Sequence, residues 1–312
     1  MAAGSGLDKP IQQLDLGLHP ENQFRVGDVS VEVRATHAAD VALSVPLKAF
    51  HSKSSNPDIR IEIMRVSQLA DTGNCRIFDS GSVWRLHEHD ADLQFDFSTP
   101  RMGNGPYKRL IVDHEFRSGW LQISESLFHG SPDSPAPLDY PLDELLIMHR
   151  LTQEKAIELH GTGIVRENGE ANLFVGHSGA GKSTTTRLWT DAEVVEVLSD
   201  DRIIVRHDRS SSTTMRMYGT PWHGEAMFAS PSSAPLTRIF VLEHGHGNAI
   251  TPLLPSQAVA ELFARSFVPF HRHEYVDSAL VFLEELANAV PVYRYAFEPD
   301  QRAVEKIRNF HD

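Results

Sequence analysis

The sequence predicts an α/β chain of the α+β kind. A mainly antiparallel β domain comes first, followed by a domain whose mixed sheet is built around a phosphate-binding loop. Three observations predict this. Residues 176–183 spell a complete G-x-x-x-x-G-K-[ST] string. Asn168-Gly169 lies between two apolar runs just before it, the strongest short-range hairpin signal. From Phe24 to Ile123, short runs alternate apolar and polar residues with a period of two.

Residues 1–22 read as an irregular N-terminal segment, interrupted by Pro10, Gly17 and Pro20. The β-rich domain is placed at 23–137. Val26, Val29, Val31 and Val33 are separated by polar residues, and Ile59, Ile61 and Ile63 alternate with Arg60, Glu62 and Met64. Residues 83–86 and 93–97 flank an Asp-rich bend and predict a hairpin, while 110–112 and 120–123 add two strands. This repetition suits a half-buried antiparallel sheet. His87, Glu88, His89, Asp90 and Asp92 have the residue types of a metal site. Their loose spacing at a hairpin tip reads instead as a solvated turn. This half shapes a substrate site, mediates assembly or covers the second sheet. The breaker-rich run 130–137 marks the boundary, and the second domain is placed at 138–312.

In that domain, 142–150 reads as a helix expected to pack on the nucleotide-binding core. Residues 160–166 and 171–175 read as the two strands of the Asn-Gly hairpin, and the second runs directly into the loop. Each loop position has a physical task. Gly176, Gly179 and Gly181 let the backbone through His177, Ser178 and Ala180 curl so that N–H groups face phosphate oxygens. Lys182 adds a charge able to reach the outer phosphates, and the Ser183 hydroxyl suits a magnesium ion. Thr184 belongs to the first turn of a helix whose positive dipole end faces the same anion. An apolar run at 194–198 ends in Ser199-Asp200-Asp201, and 202–205 resumes as a strand. Carboxylates there offer hard oxygens to magnesium and a base to an attacking hydroxyl.

Further on, 209–214 reads as a turn. Gly219-Thr220-Pro221-Trp222-His223-Gly224-Glu225 either faces the substrate or nucleotide or is a structural loop around a packed Trp. Strands are expected at 236–242 and 292–297, and helices from Pro255, over 278–289 and over 300–310. The pairs His244/His246 and His271/His273 have no third ligand nearby in sequence and read as surface residues.

The formal net charge of −13 argues against a nucleic-acid groove, which needs a basic stripe. No apolar run approaches the ~18 residues of a membrane span, and the N-terminus has no signal-peptide pattern. A single cysteine, Cys75, excludes an internal disulfide. The expected location is the cytoplasm, and a homo-oligomer is compatible with the composition.

The order His160-Gly161, the 176–183 loop and Ser199-Asp200-Asp201 resembles the C-terminal kinase domain of HPr kinase/phosphorylase. More distantly it is similar to phosphoenolpyruvate carboxykinase, which shares that nucleotide fold. The resemblance covers roughly residues 140–312, and the first half shows no match to the N-terminal domain of HPr kinase. It implies a cytoplasmic kinase binding ATP and Mg2+, with His160, Lys182, Asp200 and Asp201 as catalytic residues and Ser183 and Asp201 on the metal. It makes Asp200 the base, although the sequence alone leaves the two aspartates interchangeable. The acceptor is a serine of a protein or peptide, or a small alcohol. Two other readings stay open: a nucleotide-binding sensor or assembly protein without phosphotransfer, and a carboxykinase-like enzyme acting on a small keto acid.

Overall fold

Alternating Val, Ile and Phe residues in short runs build the first of two sheets. A computed structural model of the chain describes residues 20–103, 105–128, 136–245 and 247–311. Residues 1–19 of the lead-in read at 1–22 and residues 130–135 of the breaker run read at 130–137 lie outside the described residues, and the end of that lead-in is not irregular, because β1 begins at Glu21. Among those described, the first sheet holds β1 (Glu21–Val26), β2 (Val29–Ala35), β3 (Ile59–Val66), β4 (Arg76–Asp79), β5 (Trp84–His89), β6 (Asp92–Phe97), β7 (Lys108–Asp113) and β8 (Ser118–Ser124). Their spatial order is β1-β2-β3-β8-β7-β6-β5-β4. Most pairings are antiparallel, but β2–β3 and β3–β8 are parallel. Alternation reports which face of a strand is buried and not the direction of its neighbour.

The single strand-like stretch read from Phe24 onward is a hairpin. Gly27 and Asp28 turn it with φ of 57° and 65°, the type I′ geometry that matches strand twist. This tip docks on the second sheet. A Cβ on Gly27 would come within 2.7 Å of the Ile204 side chain. The Arg206 guanidinium donates to the Gly27 carbonyl at 2.8 Å, and Tyr218 Oη donates to Asp28 at 3.2 Å. At the β5–β6 tip, Asp90 has φ 52°, and Asn74 donates to His89 Nδ1 at 2.8 Å.

The second sheet contains β9 (Ala156–Arg166), β10 (Ala171–Val175), β11 (Val195–Ser199), β12 (Arg202–Asp208), β13 (Ser211–Tyr218), β14 (Ser233–Pro235), β15 (Arg238–His244), β16 (Ala249–Pro252), β17 (Ser266–Phe267) and β18 (Val292–Phe297). The turn read at 209–214 is shorter, because β13 already begins at Ser211. The hairpin expected before the glycine loop is present: β9 and β10 are antiparallel, with Ala171 opposite Val165 and Val175 opposite Gly161. β10–β15 and β15–β18 are parallel, so the sheet is mixed. β9 is its hub, with β10 and β17 along one edge and β11 and β12 along the other.

Helices α2 (Lys182–Ala192) and α5 (Gln301–Arg308) cover one face of this sheet through Trp189, Val304 and Ile307. Helices α3 (Pro255–Phe263) and α4 (His273–Ala289) cover the other through Leu262, Phe282 and Leu286. Helix α1 (Leu142–Leu151) makes the expected contact with the second sheet, through β9, and adds one with the first. Leu142, Leu145, Leu146 and Ile147 join the core of the first sheet, beside Phe95, Phe116 and Leu121. Buried almost all round, it must be enclosed on several sides and forms the joint between the sheets. Among the described residues, no helix is long and apolar enough to cross a membrane.

Candidate functional site

The site lies where β9 changes partners. On one edge, the His160 N–H donates to the Arg265 carbonyl at 2.7 Å and the His160 carbonyl accepts from Gly176 N at 3.2 Å. On the other edge, Gly161 N–H donates to the Asp201 carbonyl at 3.1 Å. One residue step of one strand therefore joins the start of the glycine loop to the acidic pair.

The loop passes from β10 into α2. Gly181 caps the helix with φ 103°, and a Cβ there would lie 2.5 Å from the Phe297 ring, so both backbone and space require glycine. Ala180 N–H donates to the His177 carbonyl and Thr185 N–H to the Gly181 carbonyl. Among the described residues, the amides of Gly179, Gly181, Lys182, Ser183 and Thr184 have no backbone partner. Five such donors at a helix N-terminus form a cradle for an anion. Lys182 folds back over the loop, donating to the carbonyls of Gly176 at 3.0 Å and His177 at 3.1 Å. Burial pushes its ammonium down to about 8, against the pull of the Asp201 carboxylate. Ser183, Thr184 and Ser178 stand partly or fully exposed on the loop side, and Thr162 ties β9 to α2 through Thr186 at 3.0 Å.

The two aspartates differ. Asp201 is half-buried: His160 Nε2–H donates to its Oδ1 at 2.9 Å, and the Arg202 guanidinium grips its Oδ2. Burial alone would raise this carboxyl, but the His160 hydrogen bond and the Arg202, His160 and Lys182 charges hold it below the usual carboxylate range. Asp200 is almost fully buried, and its oxygens accept from the amides of Gly224 at 2.9 Å and Ala226 at 2.8 Å. The base role that the family resemblance gives Asp200 therefore meets a nearly fully buried carboxylate each of whose oxygens accepts a loop amide, and the aspartate beside His160 is Asp201. Trp222 is packed: 6 % exposed, it donates through Nε1 to Asp143 at 3.1 Å. Trp222 is thus a packed residue, while the loop after it is tied to the acidic pair through Gly224 N–H on Asp200 and leaves His223 partly and Glu225 fully exposed.

Sequence reasoning missed three residues here. Arg202 follows the acidic pair directly, a local signal that was available. Arg265 gave none, because its approach to His160 is made by a distant chain segment. It is buried, its Nη1 binds Glu261 at 2.6 Å, and its charge most of all holds His177 below its usual value. His244, read as a surface residue, is exposed but lies within hydrogen-bonding distance of the Gly179 carbonyl through Nε2, at 2.8 Å; His246 lies outside the described residues. His271, also read as surface, is half-buried against His149 and Tyr275, and burial pushes it down to about 4.

The donor set suits a nucleotide's phosphates, with unpaired amides and one lysine. For magnesium, the Ser183 hydroxyl is partly exposed, whereas both Asp201 oxygens face His160 and Arg202, so Asp201 would join a metal only by giving up one of these partners, with phosphates completing the coordination. Among the described residues no group of three or more His, Cys, Asp or Glu side chains is arranged to hold a metal alone. No protein-family model matches this chain, and no curated protein matches it in sequence.

Proposed function

We propose that the protein is an ATP-dependent kinase of the HPr-kinase type, transferring the γ-phosphoryl group to a hydroxyl of a protein, a peptide or a small alcohol. The observation that carries this proposal is the union of the amide cradle and the His160–Asp201 pair at His160–Gly161. ATP's phosphates lie on the amides of residues 179–184, and Lys182 exchanges its two carbonyl contacts for phosphate oxygens. Ser183, and Asp201 on giving up one of its present partners, would hold Mg2+, which would supply charge neutralisation to the phosphates. The His160–Asp201 pair takes the proton of the acceptor hydroxyl, and the cradle and Lys182 stabilise charge on the transferred group. Asp200 fixes the adjoining loop.

A nucleotide-binding sensor is the second reading. It is favoured by the fact that both Asp201 oxygens already have partners. One experiment separates the two: calorimetric binding of Mg·ATP combined with transfer of labelled phosphate to serine peptides, proteins and small alcohols. Lys182→Ala is expected to weaken ATP binding roughly 10–100-fold, the scale of a lost hydrogen bond to a charged group. Asp201→Asn is expected to lower transfer by ~10²–10⁴-fold, the range of a lost general base. Binding without transfer to any acceptor establishes the sensor, and no binding in the parent removes both readings.

A further inference from the structure

Beside the proposed centre lies a group of buried carboxyls that the transfer chemistry does not use. Glu158, on β9, is 1 % exposed, and among the described residues neither of its oxygens has a hydrogen-bond donor. Glu144, in the first turn of α1, lies within hydrogen-bonding reach of it. Arg202 Nε is 2.9 Å from Glu144 Oε1 and 3.3 Å from Glu158 Oε1. The same guanidinium holds Asp201 and lies 4.0 Å from the centre of the Phe267 ring.

One guanidinium thus faces three carboxyl groups. Asp201 also feels Lys182 and His160. Among the described residues, Glu144 and Glu158 have only Arg202 between them, so with both ionised negative charge would be left uncompensated in a nearly dry site, which burial strongly opposes. Two carboxyls in contact relieve this by sharing a proton, as like charges at that distance cannot both ionise. A protonated Glu158 also donates to Glu144, where otherwise two acceptors would face each other. The charged and titratable groups around Glu158 are Glu144 and Tyr140 on the α1 side, and Arg202 and Asp201 on the β12 side. Arg265 lies next to β17.

We propose that Glu144 and Glu158 share one proton, carried by Glu158, and that this leaves Arg202 free to fix Asp201 against His160. The two glutamates are positioning residues of the phosphoryl-transfer centre, and this assignment rests on the kinase reading above. An ionised Glu158 would compete for Arg202 Nε and draw the guanidinium away from Asp201. Because Glu144 sits on α1, whose apolar side belongs to the first sheet, the same contact links the first domain to the acid pair.

The test uses the full chain with Glu158→Gln and Glu144→Gln. Each is isosteric, and folding is checked by circular dichroism. Two readouts are followed: the pH profile of kcat, and the ¹⁵N titration of the His160 imidazole by NMR, assigned through His160→Asn. Glu144→Gln removes an anion from Arg202 and is expected to lower kcat on the order of 10–100-fold, the scale for groups that orient a reacting one. The KM for ATP should stay as it is, and the His160 titration should shift. Glu158→Gln, permanently neutral, is expected to remove an alkaline fall of kcat that the parent shows. A His160 titration identical in parent and both variants overturns the proposal, as does an alkaline fall that persists in Glu158→Gln. If the parent transfers no phosphate, the kinase reading fails alone, because the NMR readout still decides whether the glutamates act on His160.

Discussion

The two sheets bury their charges differently. In the first, three described cations, Arg109 and Lys108 buried and Arg65 partly so, each meet their own carboxylate. Arg65 binds Asp40 through two hydrogen bonds of 2.9 and 2.8 Å, Arg109 binds Asp96 at 2.6 and 3.0 Å, and Lys108 meets Asp139. Around β9 the balance is broken. Glu144, Glu158 and Asp201 share Arg202, Asp200 depends on backbone amides, and Lys182 on backbone carbonyls. One-to-one pairs cancel charge and lock a fold. Among the unbalanced groups Glu158 is held well above and Lys182 below its ordinary value, each chiefly by burial, and such groups cluster where chemistry is done. The difference separates a scaffold from the candidate site more sharply than the sheet topology does.

Asp143 gives the comparison its largest test. Burial, together with the neighbouring Glu144 charge, raises this carboxyl from 3.8 to about 7, against hydrogen bonds from Trp222 and Glu144 N. A group raised in the folded state binds its proton more tightly there than in the unfolded chain. Its stabilisation is therefore complete below the ordinary value and is lost as pH rises towards about 7. The loss amounts to on the order of 4 kcal/mol at about 1.36 kcal/mol per pK unit. Urea denaturation of the parent should show this decline, and Asp143→Asn, which cannot ionise, should flatten it. Equal slopes in the two proteins would mean that Asp143 is not buried as an acid.

The scaffold side is probed at Arg109. Arg109→Ala strands Asp96 and should cost about 3 kcal/mol. That is the lower end of the range for a broken buried pair, because the Asp96 side chain remains 16 % exposed. Nucleotide affinity, measured on the folded protein, should stay at the parent value. A variant that folds normally but binds ATP poorly would break the division between the sheets.

Much of this arrangement was legible residue by residue. β10 and β18 match the stretches expected at 171–175 and 292–297, because each is an apolar run bounded by turn-forming residues. The hairpin into the loop followed from Asn168-Gly169, and the positive φ of Gly169 is what that pair supplies. The parallel neighbours of β3 were not legible, since side-chain period carries no partner direction. Nor was the contact of α1 with the first sheet, because its apolar residues fit either sheet. In the site, the loop and the proximity of His160 to the acidic pair could be expected from the motif order, but not that Asp201 and not Asp200 is the aspartate beside it. The amides that hold Asp200, the Arg265 carbonyl on His160 and the Glu144–Glu158 contact join distant segments, and no local pattern announces them.

The adjacent aspartates provide the finest test. Asp200 and Asp201 are neighbours on one strand end, yet one faces two amides and the other an imidazole and a guanidinium. Asp200→Asn keeps one oxygen acceptor and turns an NH2 towards a backbone N–H, so one charge-assisted bond is lost and two donors oppose each other. The cost should be about 1.5–3 kcal/mol, the range for hydrogen bonds to charged groups, measured by urea denaturation. The strain should appear first in the loop at 224–230, where Met227 is 71 % exposed at φ 59° and proteolysis should cut faster. On the kinase reading proposed above, transfer per folded molecule should fall less than in Asp201→Asn, because there Asp200 acts through the loop and not on the acceptor proton. The opposite result, unchanged stability with transfer abolished, would return the base to Asp200 and require its carboxylate to leave both amides in the working complex.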